Sequence, residues 1–273
     1  MISVDDFSFR KFARHSFYKG VNAQLIDLSG IKPGQHVIDL ACGTGAVTKL
    51  ILEKLRGAKD SLVIGVDYSA SALKQAREEL KNAKQTMVQL IRSRAEQLSQ
   101  VVRESVDTVI FCNAIHMVRN KDRLMDEVSK TLRQAGVFAF NTSFFEGAHL
   151  PETERFYRRW MLRALRNLKR RYGLAPNKAE RVAARRQLTP EEYVELLHRH
   201  GFSVKEQQIY TAAMTLESWL DISQYEEFIA GVMPGVPLDK ASECLKQGVI
   251  EVFEELELEA TPRNWLDVVA VKN

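Results

Sequence analysis

The chain has 273 residues, of which 45% are hydrophobic and 27% are charged, as in an ordinary globular protein with a buried core. This length allows one large domain or one domain with an insertion, and no apolar stretch approaches the ~20 residues of a membrane span. The three cysteines lie far apart without a CxxC pair, which argues against a zinc site and favours free thiols. Asp5 and Asp6 precede any apolar run, so we expect no signal peptide and a cytoplasmic location.

Charge is distributed unevenly along the chain. The net charge of +4 combines a balance of +9 over residues 151–186, which contain twelve Lys or Arg and three Glu, with −5 over the remaining residues. One basic segment on an otherwise slightly acidic chain favours either an anionic partner for that segment or a solvated helix face.

The first predicted elements are a helix over residues 10–28 and a strand over residues 35–39. In the helix, apolar residues recur at spacings of four, four and three from Phe17 to Leu28, and Gly30 follows as a C-terminal cap. The strand is a short apolar run rich in β-branched residues, which is typical of a buried position in a sheet.

The stretch after this strand combines a small-residue loop with a new helical pattern. Gly43 and Gly45 allow positive φ and the close approach of a ligand. The pattern from Ala46 to Leu55 predicts a helix whose first N–H groups face that ligand. Strand, tight turn and helix together indicate the first unit of a parallel α/β sheet.

An acidic residue narrows the interpretation of this loop. Asp39 ends the strand, whereas a dinucleotide-binding loop gains nothing from a carboxylate beside a pyrophosphate and expects a third glycine where Thr48 stands. A carboxylate suits a cation, such as the ammonium group of S-adenosylmethionine. The alternative is an ordinary βα turn that Asp39 caps.

A second acid follows the second predicted strand, residues 61–66. Asp67 lies 22 residues after the glycine loop, where a carboxylate can accept hydrogen bonds from both ribose hydroxyls of an adenosine. Tyr68 is a candidate for the adenine face, and Ser69 is expected to cap the next helix, residues 70–83. A plain capping role is the alternative for Asp67.

The sequence from Asp39 to Gly45 resembles the first motif of class I S-adenosylmethionine-dependent methyltransferases, and Asp67 to Ser69 resembles the second. The chain is also similar to the type 11 and quinone-biosynthesis members of this class. One departure is Ala41, which stands where the family has its first glycine. The resemblance implies a Rossmann-like, seven-stranded mixed sheet with helices on both faces, to which this chain adds a helical lid insertion.

The resemblance also implies the contacts with S-adenosylmethionine. The leading helix covers the methionine end in this family, which makes Tyr18 and His15 candidates, with plain packing as the alternative. The third strand is predicted over residues 86–92. The loop that follows it matches the adenine-pocket loop of the family, although Arg94 stands where the family often has an acid. The implied cofactor contacts are Tyr18, Asp39, Ala41, Cys42, Gly43, Gly45, Asp67, Tyr68, Ser69, Arg94, Ala95, Glu96, Asn113 and Ala114.

The fourth predicted strand, residues 106–113, leads into a loop that the resemblance places below the sulfonium methyl group. His116 in this loop is a candidate catalytic base for an oxygen or nitrogen acceptor, and lining of the cofactor pocket is the alternative. A helix over residues 121–132 and a fifth strand over residues 137–143 continue the family pattern.

Residues 144–188 are predicted to form an inserted basic lid. Aromatic and apolar residues repeat at helical spacing from Phe156 to Tyr172, arginines fill the opposite side, and Gly173 ends the helix. The candidate acceptor contacts are His149, Tyr157, Trp160 and Met161, of which His149 and Tyr157 are further candidates for a base.

Three interpretations of this basic helix stay open. It can be an amphipathic helix with a solvated basic face, or a lid whose aromatic face covers an apolar acceptor while its arginines attract an anionic substrate or an acidic carrier protein. The third interpretation is attachment to an anionic surface or to nucleic acid. Nucleic acid is disfavoured because the basic residues occupy one segment and no recognised binding module is present.

The C-terminal part, residues 189–273, is predicted to complete the sheet. Thr189 opens a capping box and therefore a helix, which ends at Gly201. Strands are predicted over residues 202–208 and 265–271, which the family arranges as an antiparallel hairpin, with helical segments between them.

We therefore predict a single methyltransferase domain over residues 1–273, whose N-terminal helix and cofactor-binding core occupy residues 1–143. We expect methyl transfer from S-adenosylmethionine to a small apolar or amphipathic molecule, first at oxygen and second at carbon, without a metal. The protein mainly aligns nucleophile and methyl group, since the sulfonium is already a good leaving group. The alternatives are an RNA or protein methyltransferase that uses the basic helix, and a non-catalytic binding protein with the cofactor fold.

Overall fold

The computed structural model describes residues 7–58, 60–81, 88–177 and 186–273. The strands are β1 His36–Leu40, β2 Leu62–Asp67, β3 Val88–Arg92, β4 Val106–Cys112, β5 Leu132–Thr142, β6 Phe202–Thr215 and β7 Ala260–Lys272. The α-helices are α1 Ser16–Leu28, α2 Ala46–Lys54, α3 Ala70–Glu79, α4 Leu98–Val101, α5 Lys121–Thr131, α6 Glu154–Tyr172, α7 Pro190–Arg199, α8 Leu216–Ile222, α9 Glu226–Val232 and α10 Leu238–Glu255.

The strands form one mixed sheet in the order β3-β2-β1-β4-β5-β7-β6. The first five strands pair in parallel, and β7 runs antiparallel to β5. The order reverses beside β1, so the loops after β1 and its neighbours open at the edge where ligands bind in such sheets. The predicted Rossmann-like fold is therefore confirmed.

Side chains alternate between the two sides of each strand, so both faces of the sheet carry apolar side chains. Helices cover both faces. On one face, Ile38 and Leu40 pack with apolar residues of α4, α5 and α7. On the other face, Val37 packs with residues of α1 and α2, such as Leu25 and Ile51. The sequence prediction of helices on both faces is confirmed by these two clusters.

The predicted helix over residues 10–28 is wrong at its start. A short 3₁₀ turn covers Phe12–Arg14, His15 is extended with ψ of 138°, and α1 begins at Ser16. The apolar spacing marks the buried side of α1 but does not show the break before it. The next predicted helix, residues 70–83, ends earlier, at Glu79, and residues 82–87 lie outside the described part of the chain.

Both C-terminal strands extend beyond their predicted bounds, which were residues 202–208 and 265–271. Strand β6 continues to Thr215, and β7 already begins at Ala260. Burial alternates with period two in both extensions, as in a strand with one face covered: Ala212 and Met214 are buried in β6, and Thr261 and Arg263 in β7. Polar and apolar residues are mixed in these stretches, so the sequence does not show the alternation of buried and exposed positions.

The basic segment forms α6 between β5 and β6, as predicted, and Gly173 ends this helix with φ of 65°. The predicted capping box at Thr189 is also present: Thr189 Oγ1 accepts a hydrogen bond from Glu192 N, and the Glu192 carboxylate accepts one from Thr189 N. Residues 178–185 of the predicted lid lie outside the described part.

The chain groups into two compact units. The helical unit comprises Met1–Phe17, His149–Ala183 and Thr211–Asn264, and the sheet unit comprises Tyr18–Ala148, Ala184–Tyr210 and Trp265–Asn273. The assignment of residues 1–273 to one domain stays a prediction. In the described ranges, no helix has the length and apolarity needed to span a bilayer.

Candidate active site

The loop after β1 is held in a left-handed backbone conformation. Ala41, Gly43 and Gly45 have φ of 56°, 53° and 85°, and α2 begins directly after Gly45. A Cβ atom added at Gly43 would meet no atom within 4 Å, so its backbone borders open space. The loop therefore exposes main-chain groups to a ligand, and the Cys42 amide secures it by donating to the Val66 carbonyl at 3.1 Å.

The environment of Cys42 favours a contact through its backbone rather than through its thiol. Its side chain is buried, and loss of solvent together with Asp39 and Asp67 raises the thiol pKa far above its ordinary value. Because only a thiolate is a strong nucleophile, this thiol is inert at neutral pH.

Asp39 lies at the end of β1 and is 1% exposed. The Thr48 hydroxyl of α2 donates a hydrogen bond to Asp39 Oδ2 at 2.6 Å. Thr48, which stands where a dinucleotide-binding loop would have its third glycine, therefore orients the acid. Burial raises the pKa of this carboxyl to about 7, against the opposite effect of the Thr48 hydrogen bond. A buried acid of this kind gains a charge partner when a cation arrives beside it.

Asp67 ends β2 and is held by two backbone donors. The Gly43 amide donates to Oδ2 at 2.9 Å and the Ser69 amide donates to Oδ1 at 2.8 Å. Each carboxylate oxygen can accept a further hydrogen bond, which suits a pair of vicinal hydroxyls. The predicted cap is confirmed, since Ser69 Oγ accepts from Ala72 N at 3.2 Å, and Tyr68 beside it is 52% exposed.

The loop after β3 is tied to its neighbours through the main chain. The Ser93 amide donates to the Asp67 carbonyl at 3.0 Å, and Arg123 Nε donates to the Glu96 carbonyl at 2.9 Å. Arg94 is exposed, and Ala95 opens a 3₁₀ turn. The loop is thus fixed next to the carboxylate that is predicted to bind the ribose.

A buried amide network, which the sequence analysis missed, fixes the loop after β4. The backbone N–H of Asn113 donates to the main-chain carbonyl oxygen and to the side-chain Oδ1 of Asn141, each at 2.9 Å. Asn113 Oδ1 accepts a hydrogen bond from Ser143 N at 3.0 Å. Asn141 then donates to Asn22 Oδ1 at 3.0 Å, and Asn22 donates to the Tyr18 carbonyl at 2.8 Å. The sequence signal for this network was an asparagine within an otherwise apolar pattern, which occurs at Asn22 in α1 and at Asn141 in β5.

This network ties α1 to the ends of β4 and β5. Tyr18 is 5% exposed, and burial raises its phenol pKa well above the ordinary value. Asp267 of β7 pairs in register with Asn141, and its Oδ1 is buried without a hydrogen-bond partner in the described residues. Burial raises the pKa of Asp267 to about 7, so the sheet unit holds a second buried acid of this kind.

His116 lies in the 3₁₀ turn after β4 and is 9% exposed. Its Nδ1 is 3.1 Å from Thr142 Oγ1, and its ring centroid is 5.1 Å from that of Phe144. These contacts fix the orientation of the imidazole. A fixed orientation is needed whether His116 acts as a base or lines the pocket. Both interpretations of His116 stay predictions, as does the role of Ala114 beside it.

The predicted acceptor residues lie in the helical unit and have different environments. Trp160 is 1% exposed and donates its indole N–H to the Leu245 carbonyl at 2.8 Å, which makes it part of the packing between α6 and α10. Met161 is half-buried. Tyr157 and His149 are in edge-to-face contact, with centroids 4.0 Å apart.

Arg263, which the sequence analysis missed, joins Tyr157 and His149. Its Nη1 lies 3.1 Å from the Tyr157 hydroxyl and 3.1 Å from His149 Nε2, and the residue is 8% exposed. Loss of solvent around the imidazole and the neighbouring Arg263 lower the His149 pKa to about 4, so His149 is neutral at pH 7. Burial raises the Tyr157 pKa, and Arg263 opposes this shift.

The loops of the sheet unit fit S-adenosylmethionine by the chemistry of their groups. Open space borders the backbone at Gly43, the carboxyl of Asp39 suits an ammonium group, and Asp67 offers acceptors for a ribose. When bound, the cofactor supplies an activated methyl group on a sulfonium. In the described ranges, no three His, Cys, Asp or Glu side chains are arranged to hold a metal ion.

Comparison with known proteins points in the same direction. Residues 31–201 match a family model described as a methyltransferase domain. The Saccharomyces cerevisiae protein named probable S-adenosylmethionine-dependent methyltransferase CRG1 is 36% identical over 107 residues, or 39% of this chain and 35% of that protein. The ubiquinone/menaquinone biosynthesis C-methyltransferase UbiE of Hydrogenovibrio crunogenus is 31% identical over 126 residues, 46% and 47% of the two chains.

The chain thus spans less than half the length of these two curated relatives. A crystal structure from Bacillus halodurans C-125 superposes with a TM-score of 0.60 at 18% identity, over 93% of this chain and 99% of that one, which establishes the likeness of fold. Because the family model covers more than half of the chain, including the loops that end β1 to β4, the chain belongs to the methyltransferase family.

Proposed function

We propose that this chain is a class I methyltransferase that transfers a methyl group from S-adenosylmethionine to an oxygen of a small amphipathic acceptor that carries a carboxylate. The observation that carries the proposal is the buried guanidinium of Arg263, with Tyr157 and His149 within hydrogen-bonding distance. Arginine binds carboxylates with two parallel, charge-assisted hydrogen bonds, which are stronger than bonds between neutral groups. Since His149 is neutral at pH 7, Arg263 is the positively charged member of the cluster.

The surroundings of this cluster support an apolar body for the acceptor. Tyr157 contacts the rings of Phe156 and Trp219, with centroids 5.1 Å and 5.5 Å away. An aromatic wall beside a buried guanidinium suits a molecule with one anionic end and an apolar remainder.

A carboxylate acceptor also removes the need for a general base. A carboxylate is ionised at neutral pH, so its oxygen can attack the methyl carbon without first losing a proton. The new C–O bond forms as the S–CH₃ bond breaks, and the electron pair of that bond stays on sulfur, which becomes a neutral thioether. The protein contributes alignment, for which ~7–11 kcal/mol of the barrier is available.

The test compares acceptors in matched pairs. Small carboxylic acids with apolar bodies and their primary amides are incubated with the enzyme and methyl-labelled cofactor. Label should enter the acids only, as methyl esters that mild alkali hydrolyses. Alkali-stable label on carbon would contradict the proposal and favour the C-methylation for which UbiE is named.

Two substitutions at Arg263 link the activity to the cluster. Arg263→Lys keeps the charge but loses the planar fork, and Arg263→Gln loses both, so KM for the acid should rise at least tenfold in each, more for Gln. Cofactor affinity should stay within about twofold of wild type, because the predicted cofactor contacts lie elsewhere in the chain. An unchanged KM in Arg263→Gln would remove the cluster from acceptor binding.

A further inference from the structure

Helix α6 has two basic sets of side chains with different surroundings. Its inner face packs in the helical unit through Phe156, Trp160, Ala164 and Leu168, all buried. Along one edge, Arg159 and Arg163 both pair with Glu255 of α10, and Arg171 pairs with Glu243. These three arginines therefore have carboxylate partners within the protein.

A second set is exposed and forms what we call the outward stripe. It consists of the exposed residues Arg155, Arg158, Leu162, Leu165, Arg166 and Lys169. They recur at helical spacing along about 20 Å of the helix. In the described part of the chain, none of the four basic residues of the stripe has a carboxylate within ion-pair distance. Leu162 and Leu165 are 44% and 38% exposed, so the stripe combines unpaired cations with apolar side chains.

A groove of about 520 Å³ adjoins the C-terminal half of the stripe. It is lined by Arg163, Arg166, Asn167, Lys169, Arg170 and Glu251. Asn167 is 5% exposed and is held there by bonds to Glu251 and Arg170 at 3.2 Å and 3.3 Å. Arg166, Lys169 and Arg170 have no carboxylate within ion-pair distance in the described residues, so the groove holds more positive than negative charge, which suits a phosphate group.

We propose that the outward stripe docks α6 on an anionic phospholipid surface, with a lipid phosphate in the groove. Cationic side chains are drawn to anionic bilayers, and each adds roughly fivefold to the partition constant. The two leucines distinguish this surface from other polyanions. In a bilayer they leave water for the acyl boundary while the surrounding cations stay at the headgroups. A nucleic acid or an acidic peptide accounts for the arginines but not for two exposed leucines among them.

The first experiment measures co-sedimentation of the full chain with vesicles. Binding should be strong to phosphatidylcholine mixed with phosphatidylglycerol, weak to pure phosphatidylcholine, and weakened by salt. Arg158→Gln with Arg166→Gln should reduce binding by about 25-fold. The matched control is Lys74→Gln with Arg77→Gln on α3, which removes the same charge from another exposed helix and should change binding by less than about twofold.

The second experiment separates a bilayer from other anions. Leu162→Ser with Leu165→Ser should weaken vesicle binding by at least fivefold and leave retention on heparin unchanged, because heparin offers charge without an apolar phase. Soluble glycerol phosphate should not displace the protein from vesicles. Full displacement by glycerol phosphate, or leucine variants that bind vesicles like wild type, would overturn the proposal and favour a free phosphate or another polyanion.

Folding of each variant is checked by its melting temperature and by its affinity for S-adenosylhomocysteine. Both should match wild type, since all substituted side chains are exposed. The proposal does not depend on the identity of the methyl acceptor, so its outcome is independent of the acceptor test above.

Discussion

At the scale of single residues, the predicted role of Asp39 has the most direct consequence for cofactor binding. Its carboxyl is 1% exposed, and burial raises its pKa to about 7 although the Thr48 hydroxyl donates to it. Burial therefore favours the protonated form of this acid in the folded protein in the absence of a cation. An ammonium group beside it would favour the ionised form and lower the pKa.

Cofactor affinity should consequently rise with pH through about 7. Only the ionised carboxyl attracts the ammonium, so binding below the pKa requires that a proton first be released, whereas binding above it does not. The dissociation constant of S-adenosylhomocysteine, measured by calorimetry, should be about tenfold larger at about pH 6 than at about pH 8. Asp39→Asn should bind weakly at both values and lose this pH dependence. Equal wild-type constants at the two pH values would contradict a role of Asp39 at the ammonium.

Ala41 is a second residue whose backbone allows a specific prediction. It has φ of 56°, a left-handed conformation that costs a residue with a Cβ roughly 1–2 kcal/mol and costs glycine little. Ala41→Gly should therefore stabilise the protein by about 0.5–1 kcal/mol, after the greater entropy of glycine in the unfolded chain is subtracted. Urea unfolding with an unchanged m-value measures the difference, and a destabilised variant would show that the Ala41 methyl group has a packing role.

At the scale of elements, the pair of helices α6 and α10 depends on one glycine. A Cβ added at Gly248 would lie 2.9 Å from the backbone nitrogen of Ala164, a distance at which the helices must separate. Trp160 closes the same contact through its bond to the Leu245 carbonyl. Replacement of Trp160 by alanine would therefore disturb packing as well as any acceptor contact, and Tyr157 is the cleaner position at which to test the lid.

Gly248→Ala should destabilise the protein by about 1–3 kcal/mol, because rigid backbone rather than a flexible side chain meets the new methyl group. Gly20→Ala is the matched control, since Gly20 is also inside a helix but an added Cβ there would meet no atom within 4 Å beyond the local backbone of its own helix. That variant should be stabilised by about 0.5–1 kcal/mol through helix propensity. Thermal unfolding of both variants measures the contrast, and similar effects in the two would show that α6 and α10 adjust easily.

At the scale of the whole molecule, the predicted site residues fall in different units. The predicted cofactor contacts, from Tyr18 to Ala114, belong to the sheet unit, whereas His149, Tyr157, Trp160 and Met161 belong to the helical unit. A ligand that binds the folded protein stabilises it by about 2.7 kcal/mol when present at a hundred times its dissociation constant. Local protection from hydrogen exchange then reports which segments the ligand contacts.

Saturation with S-adenosylhomocysteine should raise the melting temperature and slow hydrogen exchange in the loops that follow β1 to β4. Protection is expected over residues 39–45, 67–69, 94–97 and 113–116, because the backbone amides there lie at or beside the predicted contacts. Peptides from α3, which contains no predicted contact, serve as the internal reference. Protection confined to α10, with none in these loops, would contradict the predicted site.

Much of the sheet and the conformation of the loops with the predicted cofactor contacts could be predicted from the sequence, because their signals are local. The runs before Asp39 and Asp67, the glycines of the first loop and the capping box at Thr189 each depend on residues within one element or one turn. Hydrophobic period and turn chemistry act over these short distances, so neighbours along the chain suffice to indicate them. The methyltransferase family follows from the same stretches.

Other features were decided only by tertiary structure, because they join residues distant in sequence. Arg263 meets Tyr157 across 106 residues, and Asn141 meets Asn22 across 119. Neither pairing leaves a periodic pattern, and neither position shows in sequence whether its polar group will be buried. Burial of a charge or amide, and hence the pKa of Asp39 and the environment of Arg263, depends on which elements pack around it. That packing is a property of the folded chain, whereas the order of the helices and strands along the chain could be predicted from the local composition of the sequence.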